Sequence, residues 1–141
     1  PGFTATRVWV TDSPPAKIVR ETLQLPHAIE PPKGGSVCRV YSLPPDASWQ
    51  GKVGKAEVAA YFKGMGSPGA AVEGPHPYMQ QTRTLDICAV LEGEVTLVLD
   101  AGEVTLRCGE VAVIRGSRHA WANRSGARAS VAVCSHDGKR A

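Results

Sequence analysis

The feature that most restricts this chain is the rhythm of its second half, where short Val-, Leu- and Ile-rich runs alternate with glycine-bearing turns. DICAVL (86–91), EVTLVLD (94–100), EVTLRC (103–108) and EVAVIR (110–115) are followed by Glu92-Gly93, Ala101-Gly102, Cys108-Gly109 and Gly116-Ser117. HAWAN (119–123) and ASVAVCS (129–135) continue the series on either side of Ser125-Gly126. A turn signal about every 8 to 12 residues predicts antiparallel strands closed into a sandwich or barrel. Within EVTLVLD, Val95, Leu97 and Leu99 share one parity and Thr96 and Val98 the other. That period of two fits a sheet with one buried face.

The first 70 residues are less regular. VWV (8–10) and SVCRVYSL (36–43) read as strands, while Pro14-Pro15, Pro31-Pro32 and Pro44-Pro45 break any long element. AEVAAYF (56–62) fits a helical turn or two, with a strand fitting nearly as well. The expected organisation is an N-terminal arm of strands and loops over 1–70, packed on a barrel over 71–141, the two making one structural domain.

Composition removes several classes of function. A length of 141 residues suits one domain, and 43% hydrophobic with 21% charged residues is ordinary for a globular chain. The net charge of +3 is mild. Its densest basic run (Arg115, Arg118, Arg124, Arg128) lacks the interleaved aromatics of a nucleic-acid platform. No apolar run approaches the roughly 18 residues of a membrane span, and the N-terminus has no apolar segment of signal-peptide length. A cytoplasmic location is therefore expected, with neither nucleic acid nor membrane as partner. Cys38, Cys88, Cys108 and Cys134 lie far apart without a C-x-x-C pair, which argues for structural thiols over a zinc knuckle or redox dithiol. Cys88, inside apolar ICAVL, is expected to be inert.

Between Gly74 and Asn123 the chain carries a two-part spacing. The first part is Gly74, five residues, Gln80, one residue, Thr82, three residues, Asp86, six residues, Gly93. The second is Gly109, five residues, Arg115, Gly116, two residues, His119, three residues, Asn123. This resembles the cupin family, whose motifs are G-x5-H-x-H-x(3,4)-E-x6-G and G-x5-P-x-G-x2-H-x3-N. Gln80 and Thr82 stand at the two histidine positions and Asp86 at the glutamate; Arg115 takes the proline position, with one residue missing before Gly116. TRTLDICAVLEGEVTLVLD and GEVAVIRGSRHAWANRS further resemble small single-domain cupins typified by H-x-T-x-T-L-D-Y and Q-R-G-T-x-H-A-W-x-N.

The resemblance implies an all-β jelly-roll barrel, a double-stranded β-helix, whose arm often pairs across a homodimer. It also implies a pocket lined by Tyr78, Gln80, Thr82, Asp86, Cys88, His119 and Trp121. An alternative register would turn Met79 and Gln81 inward instead. The family usually binds a transition metal through three imidazoles and a carboxylate, and only Asp86 and His119 remain as strong ligands. No obligatory metal is therefore expected; a divalent ion, if held, would use His76, Asp86 and His119.

The reading for function is a small cupin acting on a small polar organic metabolite by proton transfer of lyase or isomerase type. His119 would move the proton and Asp86 would orient it. Gln80 and Thr82 would hold substrate oxygens, with Tyr78, Trp121, His76 and Arg118 completing the pocket. The alternatives are a non-catalytic metabolite binder and a metal-dependent oxygenase or isomerase.

Overall fold

The apolar runs become strands in the computed structural model, which describes residues 1–139. They are β1 (Thr4–Thr11), β2 (Ser36–Leu43), β3 (Thr84–Glu92), β4 (Glu94–Leu99), β5 (Glu103–Arg107), β6 (Val111–Arg115), β7 (His119–Ala122) and β8 (Ala129–Asp137). A five-stranded sheet runs β1-β2-β8-β3-β6 and a three-stranded sheet β5-β4-β7, with antiparallel pairing throughout. The two sheets close over a core of Tyr41, Leu43, Val90, Val95, Leu97, Leu106, Ile114 and Val131, which is a jelly-roll barrel. Gly93, the single residue between β3 and β4, has φ 72°, a conformation that side-chain-bearing residues rarely adopt.

The N-terminal 70 residues supply β1 and β2 to the larger sheet, with β2 zipped along β8 from Ser36↔His136 to Leu43↔Ala129. AEVAAYF resolves as a helix, α1 (Lys55–Gly64). The Gly54 N–H donates to the Glu57 carboxylate at 2.9 Å, which meets one of the unpaired groups at the helix start. Phe62 anchors the helix in a second cluster with Ile29, Trp49, Ala70 and Tyr78.

Strand β4 departs from the one-faced expectation. Val95 and Leu97 face the core, but Val98 is buried as well, together with Ala120 and Ala122, beneath Met79. The segment before β3 folds over the outside of the small sheet, so both faces of β4 are covered. Periodicity within one strand cannot report a loop that packs from elsewhere.

Candidate functional site

Register decides which side chains enter the barrel. On the larger sheet the inward residues are Val37, Arg39, Tyr41 and Leu43 from β2, Thr84, Asp86, Cys88 and Val90 from β3, and Val131, Val133 and Ser135 from β8. Asp86 pairs with Ser135 across the ladder, while Val90 pairs with Val131, so the inner wall grades from polar to apolar along the strands. Arg39 enters on the parity of Val37 and Tyr41 and is 3% exposed. Its Nη1 donates to the Ile29 carbonyl at 3.0 Å. Sequence reasoning missed this arginine, although a charged residue on the apolar parity of SVCRVYSL was the available signal.

The two halves of the motif meet directly. Gln80 forms a bridge with His119: the Gln80 N–H donates to the His119 carbonyl at 2.7 Å, and the His119 N–H donates to the Gln80 carbonyl at 2.9 Å. Directly opposed residues of an antiparallel pair project to the same face. The Gln80 amide and the His119 imidazole therefore stand side by side. Gln80 Oε1 is buried with no donor. Residues 76–79 form no strand, consistent with Pro77. The inward set is nonetheless Tyr78, Gln80 and Thr82, since Met79 lies under the small sheet and Gln81 donates outward to the Gly116 carbonyl at 3.1 Å.

His119 is 3% exposed, and its Nδ1–H donates to the Ser117 carbonyl at 2.8 Å. A carbonyl only accepts, so the ring proton sits on Nδ1 and the lone pair on Nε2. Burial pushes the His119 pKa below its ordinary value, opposed by the Ser117 bond and by the charge of Asp86. The expectation that Asp86 orients the ring is corrected: Ser117 does so, because the carbonyl lies within bonding reach of Nδ1. Asp86 acts on His119 by charge alone. Its own hydrogen bond comes from Thr84 at 2.8 Å, and Thr84 meets Thr82 at 2.7 Å. Thr82, Thr84 and Asp86 thus form a continuous buried polar line.

Two expected pocket residues lie elsewhere. His76 accepts from the Tyr78 N–H at Nδ1 and donates from Nε2 to Asp46 at 3.1 Å. Asp46 also accepts from the Asn123 N–H at 3.0 Å. Both ring nitrogens of His76 are occupied, so it joins no set with Asp86 and His119. Among the described residues no three His, Cys, Asp or Glu side chains are placed to hold a metal ion. The donor set does not fit the metal centre implied by the family resemblance. Arg118 is outside the barrel, its Nε 3.4 Å from Asp100 and its Nη2 donating to the Glu73 carbonyl. Asn123, the last motif residue, is a clamp: its side chain donates to Leu43 and Ala127 at 3.0 and 2.8 Å.

Aromatic rings fill the other end of the hollow. Phe3, Tyr41, Leu43, Tyr61, Phe62, Tyr78, Gln80 and Trp121 leave about 30 Å³ between them. Phe3 stands edge-on to Trp49, Tyr61 and Tyr78 with centroids 5.6, 5.7 and 5.0 Å away. The Tyr78 hydroxyl and Trp49 Nε1 are buried there without partners. Outside the barrel, α1 and residues 71–77 border a cleft of about 690 Å³ that includes Lys55, Glu73, His76 and Arg118. Cys88 is pushed up to about 12 by burial and the charge of Asp86, in line with an inert thiol.

With the geometry established, likeness to known proteins narrows the class. A cupin 2 conserved barrel domain protein from Salinispora arenicola superposes with a TM-score of 0.51 at 14% identity, covering 96% of this chain and 76% of that one. The chain has the cupin fold. No family model matches it. Part of it is 43% identical over 70 residues to phomopsin biosynthesis cluster protein C' of Diaporthe leptostromiformis, covering 44% of this chain and 37% of that protein. A part of it is also 41% identical over 66 residues to oryzines biosynthesis cluster protein J of Aspergillus oryzae, covering 41% of this chain and 37% of that protein. The chain spans little more than a third of the length of these curated relatives. No helix among the described residues is long and apolar enough to cross a membrane.

Proposed function

We propose that this chain takes a small hydroxylated carboxylate into the barrel and moves a proton on it at His119. The reading rests on the buried, donor-less oxygen of Gln80 beside an imidazole whose basic nitrogen is fixed as Nε2. An unpaired buried acceptor costs about 1 to 3 kcal/mol, which a ligand O–H would recover.

In this reading Arg39 receives the carboxylate and the Gln80 amide oxygen accepts a hydrogen bond from the substrate hydroxyl. The low His119 pKa keeps the ring neutral and basic near neutral pH. Nε2 removes a proton from the carbon next to the carboxylate. The imidazolium that forms keeps its bond to Ser117 and is stabilised by the Asp86 charge until the proton returns. Where the proton is returned to a hydroxyl on the next carbon, the C–O bond breaks, water leaves and a double bond forms; where it is returned to carbon, the substrate is isomerised. Entry requires Phe3, which precedes β1, and Tyr61, on α1, to swing aside; neither is part of the small sheet. Part of the chain is similar to proteins of the phomopsin and oryzines biosynthesis clusters, a setting that suits chemistry on a small metabolite.

A second reading is favoured by volume: the outer cleft of about 690 Å³ falls in the usual range of ligand sites and would make the chain a metabolite binder. Calorimetry and turnover assays on a panel of hydroxylated carboxylates separate the two. For the barrel reading, His119→Asn abolishes turnover with affinity kept within about threefold, and Arg39→Met weakens binding. If Arg118→Ala weakens binding while Arg39→Met does not, the ligand sits in the outer cleft. Absence of both binding and turnover across the panel would overturn the substrate class.

A further inference from the structure

The cysteines that stand far apart in sequence do not all stand apart in space. Cys38 on β2 and Cys134 on β8 are register partners, and the Cys134 thiol donates to the Cys38 sulfur at 3.1 Å. This corrects the reading of four isolated structural thiols. Opposed residues in an antiparallel ladder have Cα atoms about 4.5 to 5.5 Å apart, inside the roughly 4.4 to 6.8 Å window that a disulfide spans. Both side chains are on the outer face of the larger sheet, opposite Arg39 and Val133, and both are partly exposed. A reagent therefore reaches them without entering the barrel. Cys88 is buried and Cys108 is on the far hairpin, so neither has a thiol within bonding range.

We propose that Cys38 and Cys134 form a dithiol site that exchanges with small-molecule disulfides to give an intramolecular β2–β8 disulfide. One protein thiolate attacks a sulfur of the small disulfide, forming a mixed disulfide and expelling a small thiolate that takes up a proton. The second protein thiol loses its proton to solvent and attacks the protein sulfur of that adduct. The protein disulfide forms and the second small thiolate leaves. Two protein thiols are oxidised and one small disulfide is reduced to two thiols, so electrons and protons balance. Burial, the hydrogen bond from Cys134 and that neighbour's charge push Cys38 up to about 11. Only a small thiolate fraction is present at neutral pH, so exchange is slow, but the facing geometry makes the resolving step intramolecular. The bond fastens the strand carrying Arg39 to the central strand of the larger sheet and leaves the inner wall unaltered.

The test uses the Cys108→Ser chain, which removes the exposed thiol, incubated with oxidised glutathione. Thiol counting after denaturation and peptide mapping then read the products. The expected result is loss of two of the three remaining thiols, with the Cys38 and Cys134 peptides linked and Cys88 free. Adding Cys38→Ser is expected to trap a stable glutathione adduct on Cys134, reversed by dithiothreitol. A persistent glutathione adduct on Cys134 with Cys38 still present, or a linkage between chains in place of within one, would overturn the proposal. Retention of all three thiols after incubation would overturn it as well. Circular dichroism of each variant before oxidation separates misfolding from lack of reactivity.

Discussion

At one end of the barrel interior, Phe3, Tyr61, Phe62, Tyr78 and Trp121 interlock around about 30 Å³ of space. Elsewhere in the interior Thr82, Thr84, Asp86, Ser135 and His119 are buried, as is Arg39, whose Nη1 donates to the Ile29 carbonyl. The aromatic end combines apolar burial with edge-on ring contacts worth about 0.5 to 1.5 kcal/mol each, so it is where stability concentrates. The polar end buries an arginine, an aspartate and a histidine that must be partnered or lose stability. A chain selected for stability alone would fill both ends with aliphatic side chains. The polar set beside the packed aromatic end is the observation on which the proposed proton transfer rests.

The comparison breaks most sharply if the aromatic end is not the stable one. Phe62→Ala, at 1% exposure, is expected to cost about 3 to 5 kcal/mol in urea unfolding. A loss below about 1 kcal/mol would show that α1 contributes little to the core. His76→Ala is next, at about 2 to 3 kcal/mol, because it strips the charged partner Asp46 of a buried donor. If that variant kept full stability, the His76–Asp46 bond would contribute nothing to the fold.

Acid titration sharpens the polar end. His119 has a folded-state pKa below its unfolded value, so the unfolded chain binds the extra proton first. Its contribution is complete above about pH 6.5 and is lost as pH falls toward the folded pKa, with a slope of at most about 1.4 kcal/mol per pH unit. Unfolding free energies measured from pH 7.5 downward should flatten in His119→Asn. An unchanged slope would mean that the ring is not held neutral by burial. The smallest effect is expected for Tyr78→Phe: a buried hydroxyl without a partner contributes nothing favourable, so its removal is neutral or stabilising by up to about 1 kcal/mol. A loss well beyond that would show that the hydroxyl is satisfied in solution.

Much of the fold was legible because strand signals are local. The eight runs became strands, and the parity of Gln80, Thr82 and Asp86 carried through to their inward placement even though residues 76–79 are not a strand. The candidate site was legible in part. His119, Asp86, Gln80 and Thr82 share the interior, while His76 and Arg118 find partners outside it, because proximity in sequence says nothing of which partner a side chain finds. Ser117 was within two residues of His119 and went unread, since a backbone carbonyl carries no mark in the sequence.

The sequence by itself determined the alternation, the turns and the motif spacing, all of which follow from backbone geometry repeated every few residues. It took the folded chain to set Phe3 against Trp49 and Tyr78, to bury Arg39 and His119, and to face Cys38 with Cys134, which is 96 positions further on. Such contacts depend on strand order and on loops packing from a distance, and no period within a single segment encodes them.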